Sequence, residues 1–274
     1  MLSYFIDRVV GKNRFFKPEV MICVPSGVTQ VERRAVLDAT LSAGAKMAYL
    51  IEEPLAAAIG AKIPIAQASG HMIVDIGGGS TEAAVISLGG VVVHKSARVA
   101  GNKIDEAISL HVKKKFNLII GERMAEMIKV TIGDAIGGKQ SVVSLQSSVA
   151  ESLKLKADSS AMEVRGRDSV TGLPRMISLS REEVTFAITP VLVQIVTAVK
   201  AVLEETPPEL AADIIDKGIV MAGGTSTLSN LDRLMTQMTG VPCHVADDAL
   251  LCVVRGTGVA IENIELYKRS VARK

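Results

Sequence analysis

The sequence predicts an α/β protein in which each of two lobes carries a mixed sheet. Three observations point there. Apolar runs of strand length alternate with runs of helical period at both ends of the chain. Two of the strand-like runs, "MIVDIGGGSTEAAVIS" and "GIVMAGGTSTLSNL", break into glycines followed by hydroxyl residues, turns at which backbone can come close to a ligand. Finally, 274 residues with 48% hydrophobic and 22% charged content can bury a sizeable core, in one large domain or two lobes, and exclude a disordered chain.

In chain order, residues 1–10 predict a helix with Leu2, Phe5, Ile6 and Val9 on one stripe. The loop "GKNRFFKPE" leads into the strand "VMICV" and the turn "PSGVT". Thr29 and Glu32 form a T-x-x-E capping box that opens a helix, and Gly44 closes it. "MAYLI" is a strand, and Pro54 stands where a first helical residue should be, ahead of "LAAAIGA". "HMIVDI", "STEAAVISL" and "GGVVVHKSARV" read as three strands of a ribbon joined by glycine turns. Helices follow at about 103–116 and 121–133. Residues 137–160, rich in Ser and Gln, read as a variable insertion. "AMEVRGRD", "SVTGLP" and "RMISLS" make a two-strand unit, and a helical zone from 181 to 205 is expected to kink at Pro190. A short helix after Pro207–Pro208, the strand "GIVMA", the turn "GGTST", a helix from about 228, the strand "VPCHVA" and a last helix reaching "YKRS" complete the chain.

Composition narrows the function classes. A net charge of +2, with no basic face or tail, gives no argument for a nucleic-acid partner. Cys23, Cys243 and Cys252 are far apart, which suits reduced thiols in a cytoplasm rather than a disulfide frame or zinc site. The opening "MLSYFIDRVV" lacks a basic n-region and is not expected to be a signal peptide. "PVLVQIVTAVKAVL", interrupted by Gln194, Thr197 and Lys200, is too short and polar to predict a membrane span.

The first glycine turn is the richer one. Gly77, Gly78 and Gly79 can place the backbone at positive φ, and consecutive N–H groups there can cradle phosphate oxygens, with Ser80 and Thr81 adding hydroxyls. Asp75, ending the strand, suits a water of a magnesium ion. A plain glycine hairpin fits the pattern equally well. A dinucleotide fingerprint is excluded because these glycines open a strand rather than a helix, and no G-x-x-x-x-G-K-[ST] motif is present. The second turn, Gly223–Gly224–Thr225–Ser226, has Ala222 in place of the acid, which suits the uncharged end of a nucleotide.

Together, "VPSGVTQVERRAVLDATLSAGA", "LIEEPLAAAIGA", "VDIGGGSTEAAVISLGG", "GERMAEMIK", "VTGLP" and "EETPPELAADIIDKGIVMAGG" resemble, in order and over nearly the whole chain, the MreB family of bacterial actins. The resemblance implies an actin-like (ribonuclease H-like) two-lobe α/β fold closing over ATP and Mg2+. It implies that Asp75 faces the metal, with Gly77, Gly78, Gly79, Ser80 and Thr81 on the phosphates. Glu53 would orient the attacking water with help from Ser80; on residues alone, Glu53 is an acid favoured at a helix start. Glu126 and Lys129, three apart on one helix face, read by themselves as a surface ion pair; the resemblance implies that they hold the ribose and adenine. Gly223, Gly224, Thr225 and Ser226 would form the adenosine turn.

Two departures stand out. The family's first phosphate hairpin, D-x-G-T-A-N-T, is absent, so the fold is expected to be N-terminally incomplete, either as a fragment or misassigned start of a longer protein, which the intact remaining motifs favour, or as a shortened relative with impaired ATP turnover. Asn102 stands where the family usually has Asp. The resemblance divides the chain into residues 1–63 of subdomain IA, 64–103 of IIA, 104–188 of IIB, 189–252 again of IIA, and a C-terminal helix, 253–274, returning to IA.

Phe15 and Phe16 stand beside Lys12, Arg14 and Lys17 in a chain with only 3% aromatics. They either pack in a core or, as the resemblance implies, insert into the inner face of the cytoplasmic membrane. Burying both gives about 3–6 kcal/mol before ordering costs, enough for firm attachment only when a polymer presents many copies. The resemblance further implies head-to-tail filaments whose protofilaments pair antiparallel near Val31, although Val31 or Leu41, taken singly, reads more readily as a core residue. It implies a cytoplasmic, membrane-peripheral protein with weak ATPase activity, which meets wall-elongation proteins such as RodZ and directs cell-wall synthesis and rod shape. A truncated, non-catalytic scaffold and a small-molecule kinase of the same fold are the alternatives.

Overall fold

The computed structural model describes residues 1–11, 17–137, 161–267 and 271–273. Phe15, Phe16 and the insertion expected at 137–160, beyond Gly137, lie outside them.

Helix α1 (Leu2–Val10) precedes strand β1 (Glu19–Val24), helix α2 (Gln30–Ser42) and strand β2 (Met47–Glu52). The capping box forms as the sequence predicts: the Thr29 hydroxyl accepts the Glu32 N–H while the Glu32 carboxylate accepts the Thr29 N–H. Strands β1 and β2 are parallel, and a short final strand, Val271–Arg273, pairs antiparallel with β2. Helix α3 (Glu53–Gly60) starts directly from the end of β2.

A five-stranded sheet forms the centre. Strands β3 (His71–Ile76), β4 (Thr81–Ser87) and β5 (Gly90–Ala97) make an antiparallel ribbon. β9 (Ile219–Ala222) adds parallel to β3, and β10 (Cys243–Val245) parallel to β9. Helices α4 (Gly101–Phe116) and α5 (Glu122–Ile132) follow the ribbon. A small antiparallel sheet contains β6 (Leu118–Ile119), β7 (Ala161–Asp168) and β8 (Pro174–Ser180). Then come α6 (Arg181–Glu205), α7 (Pro208–Lys217), a 3₁₀ turn at Gly224–Thr227, α8 (Leu231–Thr239) and α9 (Cys252–Glu262).

β3 and β4 are buried on both faces, so they read as nearly continuous apolar runs. One face, with Met72, Val74, Ile76, Ala83 and Val85, packs on α4, α5 and α6. The other, with Ile73 and Ile86, packs on α3 and α9. Helices α3 and α9 approach closely through small residues. A Cβ on Gly256 would lie 1.8 Å from the Ala56 carbonyl oxygen, and one on Gly60 1.8 Å from that of Cys252.

Four expectations change. Helix α6 runs through Pro190 without interruption, because its buried side, from Val184 to Val202, is held by the core. Although α6 is long and apolar enough to cross a membrane, that packing marks it as a core helix. The α1 stripe is only partly used: Ile6 is buried, whereas Phe5 and Val9 are exposed. The last helix ends at Glu262, short of Tyr267. Val31 is 79% exposed at the start of α2, which removes its core reading, while Leu41 packs against the small core under that helix.

Candidate nucleotide site

The two glycine turns meet. β3 and β9 are neighbours in parallel register, so Asp75 lies opposite Ala222, the residue in the corresponding position of the second turn. The Thr225 hydroxyl donates to the Gly77 carbonyl at 2.8 Å, joining one turn to the other. Gly223 has φ +85°, and a Cβ there would fall 2.4 Å from Asp75 Oδ1 and 2.3 Å from the Ile76 carbonyl oxygen. Only glycine fits that contact.

The first turn differs from expectation. Among Gly77, Gly78 and Gly79 none has positive φ. The nearest atom to a Cβ would be Ser80 O at 3.5 Å for Gly77 and Asn102 Oδ1 at 3.2 Å for Gly78, with nothing within 4 Å for Gly79. The fold itself asks for no glycine at 79; the absent side chains leave open backbone. Helix α4 is anchored to this turn by the N–H groups of Gly101 and Asn102, which donate to the Gly77 and Gly78 carbonyls at 3.2 and 2.8 Å.

These elements line one cavity of about 1070 Å³. Its wall includes Asp75, Gly77, Gly78, Glu126, Lys129, Gly223, Gly224 and Thr225. Asn102, Asp105, Lys113 and Arg123 also line it; of these, Lys113 and Arg123 are candidates that the sequence reading missed. The signal for Lys113 was its place three turns of α4 beyond Asn102, on the cavity side. The expected Glu126–Lys129 ion pair is replaced. Lys129 Nζ instead meets Asp105 Oδ2 at 2.8 Å, from α5 to α4, with both side chains largely buried. Burial raises the Asp105 carboxyl above its usual range, against the Lys129 hydrogen bond and charge, with Glu126 adding to the rise. Lys129, held by Asp105, and the exposed Glu126 both line the cavity.

Two expected phosphate or adenosine contacts are committed to the fold. Thr81 is fully buried, and its hydroxyl donates to the Val99 carbonyl at 2.7 Å. Ser226 is likewise buried and donates to the Gly223 carbonyl at 2.7 Å. Neither hydroxyl faces the cavity. Gly79 and Ser80 lie at the lip of the turn, outside the cavity lining, and the Gly77 N–H donates to the Ser80 carbonyl at 3.0 Å.

Beneath the first turn lies an acidic group. Burial, then Glu53, pushes the Asp75 carboxyl up to about 6. Burial and Glu82 raise Glu53. Burial also raises Glu82, against a hydrogen bond from Ser96, with Asp75 and Glu52 contributing. Burial pushes the neighbouring Cys23 thiol up to about 11, opposed by its 2.7 Å contact with Thr257 and assisted by Glu53 and Asp75. Arg33 is close, but it pairs with Glu52 at 2.6 Å. Carboxylates in this state fit a divalent cation well, because a nearby cation would stabilise their ionised forms. Asp75, at the cavity wall, is the one placed to face it, and it is a hard oxygen donor suited to magnesium through water. No cluster of three or more metal-ligating side chains occurs among the described residues.

A family model described as MreB/Mbl protein matches residues 1–269. The chain belongs to the MreB/Mbl family. Cell shape-determining protein MreB of Escherichia coli K12 is 46% identical over 97% of this chain and 72% of its own length. Cell shape-determining protein Mbl of Bacillus subtilis 168 is 42% identical over 99% of this chain and 77% of its own. Among solved structures, MreB5 of Spiroplasma citri bound to ADP superposes with TM-score 0.84 at 33% identity, covering 97% of this chain and 76% of that one. The MamK double helical filament, at 19% identity and TM-score 0.72, shares the fold. The fold is therefore the actin-like one that the MreB-family resemblance implies.

Proposed function

We propose that this protein is a nucleotide-dependent, actin-like cytoskeletal protein. It would form filaments at the inner face of the cytoplasmic membrane that direct wall synthesis and cell shape. The observation that carries the reading is the single cavity lined by both glycine turns together with Lys129 and Glu126. Family membership supports the cell-shape role, since the MreB and Mbl relatives carry that name. MreB5 of Spiroplasma citri has been solved with ADP and with AMPPNP, which supports a nucleotide as the ligand.

In this reading ATP lies with its phosphates on the backbone of Gly77, Gly78 and Gly79, and Ser80 adds a hydroxyl at the lip. Gly223, Gly224 and Thr225 pass along the adenosine, and Lys129 and Glu126 hold the ribose and adenine. Mg2+, when bound, would neutralise developing phosphate charge and draw its water contact from Asp75. Glu53, starting α3 beside Asp75, would orient the water for in-line attack and accept its proton. Hydrolysis would be weak and serve as a timer for assembly.

Self-assembly would be head-to-tail, with antiparallel pairing near the exposed Val31. Membrane attachment would depend on Phe15 and Phe16 and, through multivalency, on polymerisation. Wall-elongation proteins such as RodZ are the expected partners. The test is to titrate the protein with a fluorescent ATP analogue and Mg2+, then pellet it with and without anionic liposomes. Saturable binding, and liposome pelleting that Phe15→Ser with Phe16→Ser abolishes, are expected. No measurable ATP affinity would overturn this reading in favour of a non-catalytic scaffold.

A further inference from the structure

Glu82 has no part in the reading above, yet it is the most deeply buried acid of the group, 2% exposed. It stands opposite Asp75 in the β3–β4 ladder, so both side chains project from the same face of the sheet. On its other side Ser96 of β5, its cross-strand partner in the β4–β5 ladder, donates a hydrogen bond to Oε1. The second oxygen, Oε2, is enclosed and has no partner among the described residues. That face turns toward α3, whose first residue is Glu53, and the charged groups felt there are Asp75, Glu53 and Glu52. Four carboxylates thus lie together, and Arg33 pairs with one of them, Glu52, which leaves Glu82, Asp75 and Glu53 to share a low-dielectric space. An enclosed carboxylate with an empty acceptor is costly to a fold. Glutamine at the same place would keep the Ser96 bond and remove the charge.

We propose that Glu82 is a positioning residue, a buried negative charge behind Asp75 that makes nucleotide binding depend on a divalent cation. The proposal rests on the nucleotide reading of the cavity. Three carboxylates beneath the first turn repel a bare polyphosphate, and the repulsion is strong where water is excluded. A divalent cation arriving with the phosphates reverses the sign of the interaction for all three at once. Asp75 faces the ion, while Glu82, held by Ser96, adds charge from behind without touching it. The device separates metal-loaded from metal-free nucleotide by electrostatics rather than by shape.

The experiment measures the affinity of the whole chain for a fluorescent ATP analogue, with saturating Mg2+ and with EDTA, and takes the ratio. In E82Q the ratio is expected to fall about tenfold, chiefly because metal-free binding tightens. Ser96→Ala, which keeps the charge and loses the hydrogen bond, is expected to retain the wild-type ratio to within about twofold. Asp75→Asn is the control for the site. If D75N lowers the ratio and E82Q does not, the role of Glu82 is overturned while the nucleotide reading stands. If nucleotide binds and neither variant changes the ratio, the metal coupling of Asp75 and Glu82 is overturned; if no nucleotide binds, the nucleotide reading itself fails and the proposal with it. Should E82Q not fold, Glu82→Met, which drops both the charge and the hydrogen-bond demand, is read in the same way.

Discussion

The two glycine turns resemble each other in sequence and differ in what requires their glycines. Gly223 is demanded by the protein: it has φ +85° and lies against Asp75 and the Ile76 carbonyl with no room for a Cβ. Gly79 is demanded by nothing inside the chain, since a Cβ there would meet no atom within 4 Å. The acids divide in the same way. The first turn has a buried Asp75 pushed up to about 6, and the second has Ala222 at the matching place in the sheet. One turn is therefore built to hold the two halves of the site together, the other to leave backbone and charge open to a ligand. A glycine motif alone does not distinguish these uses.

Substitutions can break or sharpen that contrast. The largest effect is expected for Gly223→Ala, which forces a Cβ into backbone and a strained φ; it should cost about 3 kcal/mol or more, or prevent folding. Urea denaturation checks it, and a loss below about 1 kcal/mol would mean that the turns can move apart. Next is the pH response of Asp75. Because its folded carboxyl is raised above the usual carboxylate range, the folded state binds the proton more tightly. The contribution of Asp75 to the stability of the nucleotide-free protein should therefore fall as pH rises from about 4 to about 6, and stay low above that. Asp75→Asn cannot lose a proton there, so at pH 7 it should be more stable than the wild type by roughly 2 kcal/mol, with the gap closing below pH 4. Denaturation midpoints of the two proteins across that range measure the effect.

A smaller effect belongs to the bond between the turns. Thr225→Val removes the 2.8 Å donation to the Gly77 carbonyl, which keeps the Gly101 N–H at 3.2 Å. A cost of about 1 kcal/mol is expected by thermal or urea unfolding. The smallest is Gly79→Ala, whose stability should stay within about 0.5 kcal/mol of wild type. Its nucleotide affinity should nevertheless drop about tenfold, the cost of a methyl at a close backbone contact. Equal affinity would place the phosphates elsewhere.

The fold was legible where local patterns are strong. The T-x-x-E box, Pro54 at the start of α3 and the three-strand ribbon all form where the sequence puts them. Of the candidate site residues, Asp75, Gly77, Gly78, Glu126, Lys129, Gly223, Gly224 and Thr225 come together at one cavity, and Gly79 lies at its lip. What was hidden depends on contacts between distant segments. Lys129 pairs with Asp105, 24 residues away, and helical spacing alone suggested Glu126. Thr81 and Ser226 carry hydroxyls in the right motif but turn them to Val99 and Gly223, because burial requires a partner for each. Glu82 was masked by standing inside a strand, although its two-residue spacing from Ala84 and Ile86 places it on the Asp75 face. Pro190 could not signal an unbroken helix, since core packing decided the matter.

The central claim is that the two turns grip opposite ends of one nucleotide. A crystal structure of the protein with AMPPNP and Mg2+ tests it most directly. The account predicts phosphates on the backbone at Gly77–Gly79, the metal on the Asp75 side, and the adenosine along Gly223–Thr225 beside Lys129. A nucleotide bound away from this cavity, or touching one turn and not the other, would contradict it.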